Sequence, residues 1–331
     1  MKSIRLLLAA VTVALAGCAV AQAPAPSAAK PAEFVTLGTG GGPVIRRERS
    51  EPANAVVVNG AVYLFDVGSG VERQMAGAHL ALGDVRAVFI SHHHIDHDAD
   101  LGQIMASRWM FNHLAPMPVI GPPGTVEQVR NLAAAAKVVE LAPIGTAGPR
   151  GKPPVLATVT PQDLAADMDA PTEIYKDANV RVLAIANTHY HFPPGSPMAK
   201  FSRSYAYRVE TVHRTFVFTG DTGPSENVAR LARGADVLVS EVIDLDKMQA
   251  ILRKAPDLPP AMLPEMIRHM EEDHLTPVEV GKLAAAAGVK EVVLTHIVPG
   301  MDGETDLGGY TKGIQPTFTG RVRLARDLDR F

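Results

Sequence analysis

Four side chains that commonly bind metal ions lie within residues 92–97. They are His92, His94, Asp96 and His97. His92 and His94 are two residues apart, so in an extended segment they face the same way and can bind one ion. Asp96 and His97 follow a bend in the chain and can reach a second ion. Imidazole and carboxylate ligands without thiolate suit Zn²⁺, with Mn²⁺ or Fe as alternatives.

Histidine, aspartate and glutamate also follow apolar runs that are typical of buried strands. The runs are Arg86–Ile90, Val180–Ala186, Arg214–Thr219, Asp236–Val239 and Glu291–Thr295. After them come the segment 92–97, His189 with His191, Asp221, Glu241 and His296. Ligand sites of α/β sheets lie at the carboxyl ends of the strands. We therefore expect these side chains to meet at one edge of a sheet.

Asp221 lies at the tip of a glycine-flanked turn, Gly220–Gly223. A carboxylate in such a turn can bridge two metal ions with its two oxygens. Two ions about 3.5–4 Å apart lower the pKa of a bound water to near 7 and hold the oxygens of a displacement reaction. These residues therefore indicate metal-dependent hydrolysis.

The rest of the chain predicts an α/β fold. Short β-branched runs precede the histidine segment, at Glu33–Leu37, Ala55–Val58 and Val62–Phe65. Helices are predicted at Gly124–Lys137 and Ser225–Arg233. Another helix begins after Thr276, an N-cap that forms a capping box with Glu279, and it ends at Gly288. Because no linker interrupts residues 33–331, we interpret them as one domain.

Two further sets of side chains have two interpretations each. One recurs at helical spacing and forms either a lid over the site or ordinary packing: Met262, Met266 and Met270. The other lines a pocket or packs in the core: Tyr190, Phe192 and the single Trp109.

The pattern His-x-His-x-Asp-His after an apolar strand resembles the signature of the metallo-β-lactamase superfamily. The glycine-rich turn 37–41, Asp66, the segment Thr219–Thr222 and the segment Leu294–His296 resemble other motifs of that family, in order. The arrangement is similar to the branch of tRNA 3′-processing endonucleases and arylsulfatases. The resemblance implies a four-layer αββα sandwich of two mixed β-sheets flanked by helices, with Asp66 as a structural support.

The resemblance also implies two ions with different ligand sets. The first set is His92, His94, His189 and Asp221, with His191 as an alternative to His189. The second set is Asp96, His97, Asp221 and His296. His93 stands between ligands, and we expect its side chain to point away from the ions.

Three residues are predicted to act in catalysis. We expect a hydroxide that bridges the metal ions, oriented by Asp96, to attack the substrate. By resemblance, His274 protonates or stabilises the developing charge and Glu241 orients His274. The predicted substrate is a phosphodiester or a sulfate ester. One alternative is a lactone or β-lactam hydrolase that uses the same site, and another is a non-catalytic, metal-binding envelope lipoprotein.

The net charge of the chain influences the predicted partner. The chain has 32 Lys and Arg against 35 Asp and Glu, a formal charge of −3. This balance offers no basic field for a phosphate backbone. We therefore expect a small-molecule ester as the substrate and no nucleic acid.

The N-terminus predicts export. Lys2 and Arg5 precede an apolar run, Leu6–Ala16, that is too short to span a bilayer. The run ends at Cys18, the only cysteine, in a sequence that resembles the lipobox of bacterial lipoproteins. We predict a signal peptide at 1–23 with cleavage before Cys18, a Pro/Ala-rich tether at 24–32 and a hydrolase domain at 33–331. The alternative is a secretory signal peptide that is cleaved after an A-x-A site. The preferred prediction is a periplasmic protein that is anchored to the cell envelope by lipid.

Overall fold

The computed structural model describes residues 31–142, 151–193 and 195–331. The predicted signal segment 1–23, its Cys18 and most of the predicted tether 24–32 lie outside these residues. Within the described ranges, no helix combines the length and the hydrophobicity that crossing a membrane requires.

The first sheet is mixed, and its described strands lie side by side in sequence order. They are β1 (Glu33–Gly38), β2 (Ala53–Val58), β3 (Ala61–Val67), β4 (Val85–Phe89), β5 (Met117–Gly121) and β6 (Val159–Asp163). The strands β1 to β3 pair antiparallel, and β3 to β6 pair parallel.

The second sheet is also mixed and also follows sequence order. Its described strands are β7 (Thr172–Lys176), β8 (Arg181–Ala186), β9 (Tyr205–Glu210), β10 (Thr215–Phe218), β11 (Val237–Ile243), β12 (Glu291–Val298) and β13 (Arg321–Leu324). The strands β7 to β10 pair antiparallel, and β10 to β13 pair parallel.

Helices connect these strands. They are α1 (Val71–Gly77), α2 (Ile95–Asp98), α3 (Leu101–Met110), α4 (Thr125–Ala135), α5 (Lys137–Glu140), α6 (Pro197–Phe201), α7 (Glu226–Ala232), α8 (Leu245–Leu252), α9 (Leu263–Glu272) and α10 (Pro277–Ala287). Short 3₁₀ turns occur at Leu82–Asp84, Val155–Thr158 and Gly308–Tyr310.

The alternation of side chains along β3 explains the layers. Tyr63 and Phe65 face the second sheet, where Phe65 stacks on Phe218 with 4.4 Å between ring centroids. Val62 and Leu64 point the other way, into a core that α1, α3 and α4 share. On the far side of the second sheet, α7 and α10 cover another core. This is the predicted four-layer αββα sandwich.

The predicted elements match the structure, with informative differences at their ends. The best-marked helix is α10, where the Thr276 N–H donates to Glu279 Oε2 at 2.8 Å and Gly288 follows the helix with a φ of 63°. The strands β11 and β12 extend beyond their predicted ends at Val239 and Thr295. Glu241 and His296 therefore lie within strands and not after them.

Candidate metal centre

The turn between β4 and α2 supplies the first four ligand-type side chains. After β4 the chain reaches His94, whose backbone is extended and which precedes α2. Nε2 of His92 lies 3.0 Å from Nδ1 of His94. Asp96 and His97 come from the first turn of α2 and are buried. The bend thus separates the two pairs of side chains, as the spacing predicts.

The loop after β8 completes a group of three imidazoles. Nε2 of His189 lies 3.3 Å from Nδ1 of His94. The potential ligand atoms of His92, His94 and His189 all lie within 4.8 Å of one another. Both His92 and His189 are fully buried.

A second group forms around α2 and β12. Nε2 of His97 lies 3.4 Å from Oδ2 of Asp96, and Nε2 of His296 lies 3.6 Å from the same oxygen. These three residues also offer ligand atoms within 4.8 Å of one another.

Asp221 lies between the two groups. Its Oδ2 is 3.1 Å from Nε2 of His296, 3.4 Å from Nε2 of His97 and 3.9 Å from Nε2 of His92. The turn after β10 therefore places one carboxylate against imidazoles of both groups.

The outer nitrogens of three of these rings have hydrogen-bond acceptors. The Nδ1 atoms of His92, His97 and His189 contact Ser91 Oγ at 3.0 Å, Asp66 Oδ2 at 2.8 Å and the Asp273 carbonyl at 3.0 Å. Such contacts favour the tautomer with the proton on Nδ1. Nε2 then carries no proton, as in histidines that bind metal ions through this atom.

Several inward-facing atoms have no hydrogen-bond partner among the described residues. They are buried: Nε2 of His97, Oδ1 of Asp221 and Nε2 of His296. Buried polar atoms are normally satisfied, because leaving one unpaired is unfavourable. Imidazole nitrogens and a carboxylate oxygen that converge without partners fit a divalent metal ion.

The electrostatics of the centre also fit metal binding. Burial lowers the pKa of His92 and of His189, which keeps both rings in the neutral form that binds metal. Burial acts in the same direction on His296, but the Asp221 carboxylate outweighs it and raises the pKa of His296 to about 10. The raised pKa of His97 arises in the same way. The surroundings of Asp221 therefore favour positive charge, which a divalent cation would supply.

Asp66 is the structural support that the resemblance implied. Its Oδ1 accepts a hydrogen bond from the Ser91 N–H at 2.7 Å, and its Oδ2 accepts one from the Ser91 hydroxyl at 2.8 Å. The same Oδ2 contacts His97. One buried carboxylate thus fixes both the start of the histidine segment and one of its rings.

Two residues of the centre lie at β-bulges. The pairing of β2 with β3 skips Asp66, and the pairing of β11 with β12 shifts by one residue around His296. Asp66 has a φ of 60° and His296 a φ of 40°, in the left-handed region that non-glycine residues rarely adopt. Bulges bend a strand and redirect a side chain, and they are frequent next to active sites.

The glycine-rich turn after β1 packs directly on the centre. The Gly42 N–H donates a hydrogen bond to Asp96 Oδ2 at 3.0 Å. A Cβ atom at Gly42 would lie 2.3 Å from the Asp96 Cβ and 2.4 Å from Oδ2. The turn therefore requires glycine here because a side chain would displace Asp96.

His274 and Glu241 form a buried pair at the side of the centre. His274 Nδ1–H donates to Glu241 Oε2 at 2.6 Å, and Glu241 Oε1 accepts from the Thr222 N–H at 2.5 Å. Burial alone would lower the pKa of His274, but the Glu241 carboxylate outweighs it and raises that pKa. The pair favours a protonated imidazole.

A cavity of about 740 Å³ lies against this centre. Its lining includes His94, Asp96, Asp221, His274 and His296. The candidate ligands and the His274 ring are thus accessible from one space that is large enough for a substrate group.

The structure brings together all the side chains that were predicted to bind metal or to act in catalysis. Of the two alternatives after β8, His189 lies against the other imidazoles, whereas His191 is outside the group and its Nδ1 contacts Asp273. His93 points away, with Nδ1 2.9 Å from Asp98 Oδ2 and Nε2 3.2 Å from the Thr125 hydroxyl.

Two residues that contact the histidine rings of the centre were not identified from the sequence. Ser91 directly precedes the histidine segment, so its proximity was the available signal. Asp273 ends the charged run 271–273, which reads as a solvated surface, yet Asp273 is buried and contacts three histidine rings.

Comparison with known proteins agrees with this geometry. The family description "Beta-lactamase superfamily domain" matches residues 62–297. Ribonuclease Z of Mycobacterium sp. (strain KMS) is 31% identical over 305 residues, which is 90% of this chain and 95% of that protein.

Two solved structures share the fold. The metallo-beta-lactamase fold protein YhfI from Bacillus subtilis has a TM-score of 0.63 at 18% identity, with 91% of this chain and 99% of that chain covered. The short form of human tRNase Z has a TM-score of 0.59 at 19% identity, with 90% and 98% covered.

These relatives correct one prediction. The prediction of a small-molecule ester substrate and of no nucleic acid is wrong, because relatives along most of the chain are ribonucleases. The prediction relied on the net charge of the whole chain. That quantity does not report on a local site such as this one, at which imidazoles and carboxylates converge and not lysines and arginines.

The family match spans most of the two sheets and includes the residues of the centre from Asp66 to His296. The ribonuclease Z relative is similar over 90% of this chain. The chain therefore belongs to the metallo-β-lactamase superfamily and is a hydrolase of that superfamily.

Proposed function

We propose that this chain is a dinuclear metal-dependent phosphodiesterase whose substrates include the phosphodiesters of nucleic acids. The observation that carries this proposal is the meeting of two imidazole-rich groups at the Asp221 carboxylate. Similarity to ribonuclease Z over 90% of the chain supports the phosphodiester as the bond that is cleaved.

In this proposal, each group would hold one ion and Asp221 would contribute to both. One ion would be held by His92, His94, His189 and Asp221, and the other by Asp96, His97, His296 and Asp221. The donor set of imidazoles and carboxylates favours Zn²⁺, with Mn²⁺ or Fe as alternatives.

Bound ions of this kind supply an activated water and polarise a phosphoryl oxygen. The chain contributes an acceptor at Asp96, which lines the cavity and is held by the Gly42 N–H. Asp96 can therefore orient an attacking group and accept its proton.

The His274–Glu241 pair supplies a proton donor. His274 lines the same cavity, and the Glu241 carboxylate fixes its Nδ1–H. The ring can therefore donate a proton from Nε2 to the oxygen that leaves, while Glu241 stabilises the positive charge.

The test uses the full chain with its metal removed by a chelator and then restored. Restoring Zn²⁺ or Mn²⁺ is expected to restore hydrolysis of bis(4-nitrophenyl) phosphate and cleavage of an oligoribonucleotide. His296→Ala is expected to lower both rates at least 100-fold, because it removes a ligand. His213→Ala, at an exposed histidine outside the centre, is the matched control and keeps the wild-type rates.

A protein that binds metal but cleaves neither substrate would contradict the proposal and favour a non-catalytic metal-binding protein. Hydrolysis that persists unchanged in His296→Ala would exclude the proposed ligand set.

We also propose that the protein is exported and anchored by lipid at Cys18. The support is the sequence of the N-terminal segment, Lys2 to Cys18. Radiolabelled palmitate is expected to label the wild-type chain and not Cys18→Ser, and the wild-type chain is expected in the membrane fraction. Equal labelling of both chains would contradict the anchor.

A further inference from the structure

One wall of the cavity is aromatic and has no part in the chemistry proposed above. Tyr190 and Phe192 line it, with their rings nearly parallel (20°) and their centroids 5.4 Å apart. Phe192 is 37% exposed although its ring is apolar. Met198 and Met266 also line the cavity. A pair of stacked rings with an open face is suited to a planar aromatic group.

The Tyr190 ring also touches the candidate metal ligands. Its centroid lies 4.9 Å from that of His189 and 5.4 Å from that of His94. An aromatic group that stacks on this wall would therefore belong to the same substrate molecule as the phosphate at the centre, and it would lie next to the bond that is cleaved.

A second feature of the cavity is a pair of imidazoles held by one carboxylate. Asp273 accepts a hydrogen bond from Nδ1 of His269 at 2.6 Å and another from Nδ1 of His191. Both rings line the cavity, and the hydrogen bonds of both rings within the described part of the chain are made through Nδ1. Nε2 of each ring is therefore left for a ligand, and a hydroxyl group can pair with it as donor or as acceptor. Two such nitrogens suit the hydroxyl groups of a sugar.

The charges beside the centre favour a particular kind of group in this part of the cavity. Beyond the centre, the lining includes the carboxylates of Glu265, Glu272 and Asp273. Arg268 is the one lysine or arginine that the described lining includes. In this part of the cavity the balance favours a neutral aromatic and hydroxylated group over a further phosphate.

We propose that the aromatic wall and the imidazole pair form a nucleoside-binding subsite. The base of the nucleotide next to the cleaved phosphodiester stacks on Tyr190 and Phe192, and the ribose hydroxyls of that nucleotide form hydrogen bonds with His191 and His269. This inference rests on the proposed phosphodiesterase function and adds the residues that select the substrate.

The first experiment compares two esters with the same leaving group. These are uridine 5′-(4-nitrophenyl phosphate) and methyl 4-nitrophenyl phosphate. The wild-type protein is expected to prefer the nucleoside ester at least tenfold in kcat/KM, because stacking of one base gives a gain of about this size. Phe192→Ala is expected to reduce that preference at least fivefold. Phe111→Ala, at an exposed phenylalanine outside the cavity, is the matched control and keeps the preference.

The second experiment tests the imidazole pair. The 2′,3′-dideoxyuridine ester has the same base and leaving group but lacks the ribose hydroxyls. The wild-type protein is expected to prefer the ribose ester at least threefold, and His191→Phe, which leaves only His269, is expected to reduce that preference. A preference that is absent from the wild-type protein, or unchanged in His191→Phe, would overturn the role of the imidazoles.

A binding measurement separates this inference from the proposed function. Uridine 5′-(methyl phosphate) is titrated into the metal-free full chain and followed by NMR. Phe192→Ala is expected to weaken binding at least fivefold, and Phe111→Ala is expected to leave it unchanged. If the nucleotide binds in this way but no ester is hydrolysed, the subsite stands and the phosphodiesterase function is wrong. If the esters are hydrolysed but Phe192→Ala changes neither the preference nor the binding, the subsite is wrong and the function stands.

Discussion

At the scale of single residues, two residues of the centre have an unusual backbone conformation. Asp66 and His296 both have positive φ values at β-bulges, and both contact His97 or its neighbours. A non-glycine residue in this region is strained, and such strain persists where surrounding contacts impose it. The bulges therefore direct two side chains of neighbouring sheets toward one point.

Gly42 gives the sharpest steric prediction. Gly42→Ala is expected to push the Asp96 carboxylate away, since the new Cβ would lie 2.4 Å from its oxygen. We expect loss of metal and at least a tenfold loss of kcat, measured by elemental analysis and steady-state assays. Gly308→Ala, where the nearest atom is an aspartate oxygen at 3.1 Å, is the control. Wild-type metal content and activity in Gly42→Ala would show that this contact is unimportant.

The His274–Glu241 pair gives a catalytic prediction. His274→Ala is expected to lower kcat about 10²- to 10⁴-fold, the usual contribution of a general acid. Glu241→Gln is expected to lower kcat by a smaller factor, because the ring remains but loses its carboxylate. Metal content should stay at the wild-type value in both, because the proposed ligand sets include neither residue. A kcat within twofold of wild type in His274→Ala would exclude the ring from proton transfer.

The ligand-type residues of the centre could be predicted from the sequence because they are concentrated in short motifs after apolar strands. The bulges could not, because the register of a strand depends on its partner. The extra residue at His296, for example, appears only when β12 is aligned with β11. Likewise, nothing local distinguishes buried Asp273 from its exposed neighbours Glu271 and Glu272.

At the scale of elements, the sequence predicted most strands in which apolar side chains run together and missed others, such as β6 and β9, that break that pattern. β6 contains Pro161 and lies at the edge of its sheet, where the missing N–H of proline is tolerated. β9 alternates, with Tyr205, Tyr207 and Val209 in the core between the sheets. That alternation was the signal available for β9.

The hairpin of β7 and β8 gives a prediction of pH dependence. Asp177 lies in its turn and accepts hydrogen bonds from the hydroxyls of Tyr63 at 2.6 Å and Tyr175 at 2.9 Å. Burial alone would raise the pKa of Asp177, but these bonds and those from the backbone N–H groups of Asn179 and Val180 outweigh it and lower that pKa.

A lowered pKa in the folded state means that the Asp177 carboxylate stabilises the fold above the usual aspartate pKa, and that this stabilisation is lost as the pH falls. Asp177→Ala is expected to reduce the free energy of unfolding by about 1–3 kcal/mol at pH 7. The difference from wild type should shrink below pH 4. Urea unfolding of both metal-free proteins measures it, and a difference that grows on acidification would contradict the assignment.

At the scale of the whole molecule, the centre depends on the packing of two sheets against each other. The first sheet supplies the segment 92–97 after β4, and the second supplies His189, Asp221 and His296. The ring stack of Phe65 on Phe218 joins β3, which contains Asp66, to β10, which precedes Asp221. The fold class and the convergence of ligands followed from the motif order, whereas the partner could not be derived from net charge.

The measurement that tests this convergence most directly is the metal content of the reconstituted chain. Elemental analysis after incubation with Zn²⁺ and gel filtration is expected to give about two ions per chain for wild type. The Asp221→Asn protein is expected to bind less than one ion per chain, because the Asp221 carboxylate contacts both groups. Asp257→Asn, at an exposed aspartate, should match wild type. A wild-type chain that binds no metal, or an Asp221→Asn chain that keeps both ions, would contradict a shared dinuclear centre.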